Sequence, residues 1–202
     1  MSMHRTSITA HSGALGTKDN TLVSTRVGLA FVGIKGIIEV DVRFLPDGTP
    51  ALGHDWVNKK STKLEAVFEL MQELPGSINL DLKEFSHIGN LVKLVDAYGL
   101  QKRVILTGLN EQECEKAKGI KLPYYLNGSD VAVAKQAGAV GINLCHKFCS
   151  EALVEQAHKE GLLVSVFTVN KPRALKKMLR LGVDNITTKR PDRLVEIMGY
   201  AI

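Results

Sequence analysis

Along this chain, short apolar runs rich in β-forming residues alternate with longer stretches whose apolar positions recur every three or four residues. The runs Ser7–His11, Gly36–Arg43, Ile78–Lys83, Arg103–Thr107, Tyr124–Asn127, Val140–Leu144, Leu163–Val169 and Asn185–Thr188 read as strands. Between them, Thr21–Phe31, Lys63–Leu74, Ile88–Tyr98, Glu111–Lys118, Asp130–Gln136, Glu151–Glu160, Arg173–Leu181 and Asp192–Met198 read as amphipathic helices. In Glu151–Glu160, for example, Leu153, Val154 and Ala157 share a face and the charges take the other. Gly99, Gly119, Gly138, Gly161 and Gly182 follow helices, where a left-handed residue ends a helix at least cost. Eight strand–helix units in succession, with no break in composition, predict a doubly wound sheet or a closed barrel. Their even spacing and their number favour an α/β (β/α)8 TIM barrel, built as one domain over residues 1–202.

The second strand changes the picture. Ile38, Val40 and Val42 would face the helices, so Glu39, Asp41 and Arg43 point into the barrel. Buried carboxylates cost several kcal/mol unless paired or bound to a cation. Barrel enzymes gather their chemistry at the C-terminal strand ends, and this chain places much there. The first strand ends in His11, and the second leads through the Asp47–Gly48 turn to His54–Asp55. The third carries Asn79, Asp81 and Lys83 on one face. Histidines, carboxylates and a lysine therefore converge on one rim, and hard oxygen ligands suit Mg²⁺, Ca²⁺ or Mn²⁺ rather than zinc. Taken singly, a carboxylate pair is more often a structural ion pair with Arg43 or Lys83. The co-occurrence on consecutive strand ends is what points to a site.

Composition adds limits. The apolar fraction of 45% is that of a globular protein, and no apolar run approaches the ~20 residues needed to cross a bilayer. Three cysteines and no apolar leader in Met1–Thr6 point to a reducing, cytoplasmic setting. The net charge of +5 owes much to Arg173, Lys176, Lys177, Arg180, Lys189, Arg190 and Arg193. Without an aromatic stacking platform this reads as a solvated face and an attraction for small anions, not a nucleic-acid surface. Cys145, His146 and Cys149 lack an evident fourth ligand and read as ordinary thiols and a surface histidine. His87 and His158 read as surface or capping residues, and His4 falls in the N-terminal tail. The oligomeric state has no signature here.

The string Ile8-Thr-Ala-His11-Ser-Gly13, then Asp19-Asn20-Thr21, Ile38-Glu39-Val-Asp41-Val, Asp47-Gly48 and His54-Asp55 resembles the glycerophosphodiester phosphodiesterase family. Ile78-Asn-Leu-Asp81-Leu-Lys83, Val166-Phe-Thr-Val-Asn170, Gly182-Val-Asp184 and Arg190-Pro-Asp192 continue the likeness to residue 193. The resemblance implies the barrel already reached, with one divalent cation on Glu39, Asp41 and Asp81. It implies His11 and His54 as general base and acid, Lys83 on the phosphate, and glycerophosphodiesters cleaved to an alcohol and glycerol 3-phosphate. A lysophospholipid substrate, or a non-catalytic barrel binding a phosphorylated ligand, are the other readings.

The chain departs from the family at several points. Ser12 stands where the family has arginine, Asp81 where it has glutamate, Phe167 where it has tryptophan and Lys189 where it often has aspartate. Lys189 or Arg43 is expected to replace part of the missing positive charge, with Ser12 offering only a hydroxyl. The stretch Asp55–Thr62 is short where relatives insert a cap, so the mouth is expected to be open, with Trp56 at its rim, either stacked on the substrate or plugging the barrel edge.

Overall fold

The computed structural model describes residues 6–199, so His4 lies outside the described residues. Nine strands form one sheet: β1 (Ser7–Ala10), β2 (Ile37–Phe44), β3 (Pro50–Leu52), β4 (Ser77–Leu82), β5 (Val104–Leu109), β6 (Tyr124–Asn127), β7 (Gly141–Cys145), β8 (Leu163–Phe167) and β9 (Asn185–Thr188). Eight of them are parallel and run β1-β9-β8-β7-β6-β5-β4-β2, and β1 pairs with β2 through Thr9↔Ile37 and Ala10↔Ile38 to close the barrel. Helices α1 (Leu22–Val32), α2 (Leu64–Glu73), α3 (Ile88–Ala97), α4 (Glu111–Ala117), α5 (Val131–Gln136), α6 (Glu151–Lys159), α7 (Pro172–Leu181) and α8 (Pro191–Ile197) connect the strands. The sheet and helices form the expected (β/α)8 barrel.

The extra strand was absent from the sequence reading. β3 runs antiparallel to the upper half of β2, with Val42↔Leu52, Arg43↔Ala51 and Phe44↔Pro50 in register. It is three residues long and contains a proline, too short for alternation to reveal it. β8 also stops at Phe167 rather than Val169, although the Val169 amide still donates to the Thr187 carbonyl. Of the five glycines, Gly99, Gly138, Gly161 and Gly182 have positive φ, but Gly119 does not. α4 instead ends through Lys118, which keeps a right-handed conformation.

Local chemistry explains the helix starts. Thr21 and Asn110 form capping boxes with Ser24 and Glu113, Asp130 and Ser150 cap α5 and α6, and prolines open α7 and α8. At the opposite end of the barrel, Arg103 donates to the carbonyls of Met71, Leu74 and Gly76 and closes the C-terminus of α2.

The apolar core lies between sheet and helices. Leu29, Val42, Phe68, Ile78, Leu80, Leu106, Ile142, Val164 and Ile186 have no exposed surface, each burial stabilising by about 1.5–3 kcal/mol. The barrel interior is polar by contrast. Thr9, Asn79, Thr107, Asn143, Ser165 and Asn185 are all buried. They bond among themselves: the Thr9 hydroxyl donates to Asn185 Oδ1 at 2.8 Å and Asn185 Nδ2 donates to Ser165 Oγ at 3.0 Å. Such groups persist out of water only when satisfied.

Candidate active site

Register assembles the site. β2 and β4 pair Glu39↔Asn79 and Asp41↔Asp81, and β5 adds Thr107 opposite Asp81. Alternation turns these side chains inward, so Asp41, Asp81 and Thr107 form one row and Glu39 with Asn79 lies one layer deeper. One carboxylate oxygen each from Glu39, Asp41 and Asp81 lies within 4.8 Å of the others. Glu39 and Asp41 are buried, and the Asp81 side chain is one-fifth exposed. The cleft above them is also lined by His11, Asn143, Phe167 and Thr187.

Each carboxylate is held by a separate set of donors. The Ser12 amide donates to Glu39 Oε2 at 3.0 Å. Asn20 grips Asp41 twice, its Nδ2 donating to Oδ2 at 2.7 Å and its Oδ1 accepting from the Asp41 amide at 3.0 Å. Asn20 achieves this from a left-handed conformation, φ 57°, which asparagine tolerates better than most residues. The Thr107 hydroxyl lies 3.0 Å from Asp81 Oδ1 and 2.9 Å from Asn79 Oδ1. Lys83 bridges the row, its ammonium 2.8 Å from Asp41 Oδ1 and 2.5 Å from Asp81 Oδ2.

The electrostatics follow from this crowding. Burial, then repulsion from Asp41 and Asp81, pushes the Glu39 carboxyl well above its usual range. Burial acts the same way on Asp41, but the Asn20 amide and the Lys83 ammonium more than offset it and hold that carboxyl low. Burial works against the Lys83 charge, and Asp81 and Asp41 outweigh it to keep the ammonium protonated. Three carboxylates thus face one ammonium.

Both histidines stand at this rim. His11 Nδ1 is 2.6 Å from the Ser12 carbonyl and 3.6 Å from Glu39 Oε2. His54 follows β3, where the Gly53 amide donates to the Asp41 carbonyl, so the antiparallel strand brings it to the level of Asp41. Its Nδ1 lies 2.7 Å from Asp55 Oδ1, and its charge acts on Asp41.

The remaining expected residues sit around this centre. Ser12 is 3% exposed, and its hydroxyl is engaged with the amide and side chain of Asn20. Arg43 Nε donates to the His54 carbonyl at 2.8 Å. Lys189 pairs with Asp19 at 2.6 Å. Trp56 is 69% exposed beyond His54. Gly13 seats Asp19: it has φ 77°, and a Cβ there would come within 1.8 Å of Asp19 Oδ1. Among the described residues Cys145, His146 and Cys149 do not gather as a ligand cluster, and all three cysteines are free thiols. His158 pairs with Asp184 at 2.8 Å, and His87 packs edge-on against Phe44.

Sequence reasoning missed Thr107 and Asn143, and it quoted Asn20 without its double grip on Asp41. A signal was present for the first two. Each is a polar residue at an inward position of an otherwise apolar strand.

Fold and site together define an eight-stranded barrel with a three-carboxylate, oxygen-donor centre at its C-terminal mouth. The chain belongs to the glycerophosphoryl diester phosphodiesterase family, whose model matches residues 82–193, and at family level it is a phosphodiester hydrolase. It is 22% identical over 199 residues to a glycerophosphodiester phosphodiesterase of Caldanaerobacter subterraneus subsp. tengcongensis, covering 89% of this chain and 78% of that one. Its fold is similar to a glycerophosphodiester phosphodiesterase from Parabacteroides distasonis (TM-score 0.84, 19% identity, 96% and 97% of the two chains). It is equally similar to an Oleispira antarctica phosphodiesterase in complex with the product sn-glycerol-3-phosphate (TM-score 0.84, 18% identity, 96% of each chain). Among the described residues no helix is long and apolar enough to cross a membrane.

Proposed function

We propose that the whole chain works as one barrel unit that hydrolyses glycerophosphodiesters to an alcohol and glycerol 3-phosphate. One divalent cation, Mg²⁺, Ca²⁺ or Mn²⁺, is held by Glu39, Asp41 and Asp81. The observation that carries this reading is the approach of three carboxylate oxygens to within 4.8 Å beside a single ammonium. The Glu39 carboxyl, pushed up by burial and by its acidic neighbours, is one whose ionised form the protein's own cations do not offset. An all-oxygen donor set fits a hard cation. When bound, that cation offsets the charge that develops on a non-bridging phosphate oxygen.

The chain's own residues supply the proton traffic. A carbonyl oxygen only accepts, so the contact with Ser12 places the His11 proton on Nδ1 and leaves the Nε2 lone pair free. His11 then takes a proton from the attacking water as general base, and the water oxygen forms the new P–O bond. His54 gives its Nε2 proton to the departing alcohol as the P–O bond breaks, while Asp55 fixes its ring through Nδ1. Lys83 holds Asp41 and Asp81 in register and faces the phosphate. Ser12 contributes through its amide to Glu39, and Arg43 braces the backbone of His54. Lys189 supplies positive charge at the Ser12 side of the mouth, and Trp56 offers a surface for the substrate's alcohol. The free thiols support action in the cytoplasm.

A second reading has one observation of its own. His54 and Trp56 are both more than half exposed, with only a short loop before α2. An uncovered mouth accepts a lysophospholipid as readily as a small diester. Hydrolysis of glycerophosphocholine and of a lysophospholipid, with each metal or with EDTA and beside His54→Ala, tests both. Metal-dependent turnover lost in the variant is expected. A folded protein inactive on both substrates with every metal would sink the hydrolase reading in favour of a barrel that only binds a phosphorylated ligand.

A further inference from the structure

One strongly charged surface plays no part in this chemistry. α7 carries Arg173, Lys176, Lys177 and Arg180 at i, i+3, i+4 and i+7, a spacing that lines them along one face. All four are exposed, while Leu175 and Met178 opposite them are fully buried. Pro172–Leu181 contains no acidic residue. Among the described residues none of the four belongs to an ion pair. Like charges at this spacing repel and weaken a helix, and among the described residues no ion-pair partner offsets that cost.

The stripe continues at the barrel mouth, where α7 begins. Lys171, at the N-cap of α7, is exposed. The neighbouring connection between β7 and α6 presents exposed Lys147 and, beside it, Phe148 with 74% of its surface in solvent. His146 ties that connection to the Phe167 carbonyl at the end of β8. Lys177 is near enough for its charge to act on Cys149, the residue after Phe148. Lys171 and Lys177 thus stand beside the connection that carries Lys147 and Phe148, while Arg173, Lys176 and Arg180 line a groove that reaches Ile197 of α8.

We propose that the basic face of α7, together with Lys147 and Phe148, docks the barrel onto an anionic phospholipid bilayer with one edge of the mouth against the lipid. A line of cations meets the headgroup charges, and an exposed ring at the end of the line enters the acyl boundary. A nucleic-acid backbone would also meet the cations, but a single ring is not a platform for stacking successive bases. The docking stands apart from catalysis. Its consequence, that phosphodiesters carried in the membrane reach the mouth without crossing open solvent, rests on the hydrolase reading.

The test is co-sedimentation of the full chain with vesicles of phosphatidylcholine, alone or mixed with phosphatidylglycerol, at low and high salt. Binding to the mixed vesicles only, lost at high salt, is expected. Each cation at an anionic surface contributes about fivefold, so K176Q/K177Q should weaken binding at least tenfold, and F148S should weaken it further. Both variants should keep their melting temperatures and their hydrolysis of soluble glycerophosphocholine. Equal binding to neutral vesicles, no binding at low salt, indifference to K176Q/K177Q, or tighter binding to single-stranded RNA than to the vesicles would overturn the proposal. A protein that binds vesicles but leaves glycerophosphocholine intact would uphold the docking and break only the hydrolase reading.

Discussion

The two arcs that line the cleft differ sharply in charge. β1, β2 and β4, with the loops that follow them, bring His11, Glu39, Asp41, His54, Asp81 and Lys83. The arc from β5 to β9 lines the same cleft with Thr107, Asn143, Phe167, Thr168 and Thr187, all neutral. Carboxylates can share one cation only if they are adjacent, and here adjacency comes from the i, i+2 spacing of Glu39 and Asp41 on β2 and from the register that sets Asp81 of β4 beside Asp41. The neutral arc orients without adding charge, and Thr107 reaches across from it to Asp81. The family model matches residues 82–193, which is largely this neutral arc. All three carboxylates and both histidines lie before that span.

If the charged arc holds the chemistry, its residues and those opposite should respond very differently. Asp41→Ala should lower kcat/KM by about a thousandfold or more, whereas Asn143→Ala, facing it, should cost less than about tenfold. Steady-state kinetics on glycerophosphocholine checks the pair, and comparable losses would abolish the distinction. Thr107→Val is the sharper probe of the boundary. On the proposed reading of Asp81, losing the hydroxyl that holds it should raise the metal concentration for half-maximal activity about 10–100-fold, with kcat at saturating metal changed less.

A smaller effect follows from Glu39. Its carboxyl titrates above the unfolded value of about 4.3, so without a cation the folded state binds the extra proton. Stability should then fall as pH rises from about 4.3 through the raised value. The lowered Asp41 works in the opposite sense, but its contribution is lost only as pH falls below about 3.9. Added Mg²⁺ or Mn²⁺ should therefore raise the melting temperature more at pH 7 than at pH 5, by a few degrees. Calorimetry showing a pH-independent increment would exclude Glu39 as a ligand. Smallest of all, Lys189→Ala removes a half-exposed pair with Asp19, and stability should change by less than about 1 kcal/mol. A rise of severalfold in KM would assign its charge to the substrate, and an unchanged KM would leave it a surface pair.

Much of this arrangement was legible in the sequence because it obeys short periods. Eight strands and eight helices follow from alternation and from the 3.6-residue repeat, and the inward carboxylates follow from apolar residues occupying the other face of β2 and β4. What stayed hidden depends on contacts between distant segments. Asn20 reads as a loop residue, and only the folded chain brings its amide against Asp41. Ser12 looked like a weakened phosphate contact, yet its hydroxyl is turned to Asn20 and its amide to Glu39. β3 left no period to detect, although it is what brings His54 to the level of Asp41.

That small strand also bears on how such a barrel can change. The Leu52 amide donates to the Thr62 carbonyl and Ala51 bridges to Lys63, so the segment from 53 to 61 leaves and re-enters the fold at a fastened root. A tip closed in this way can lengthen at an entropic cost that grows only with the logarithm of its length, and the strand register below need not move. The lip carrying His54 is thus a ready graft point, where evolution or an engineer can add a substrate-covering module to a working barrel.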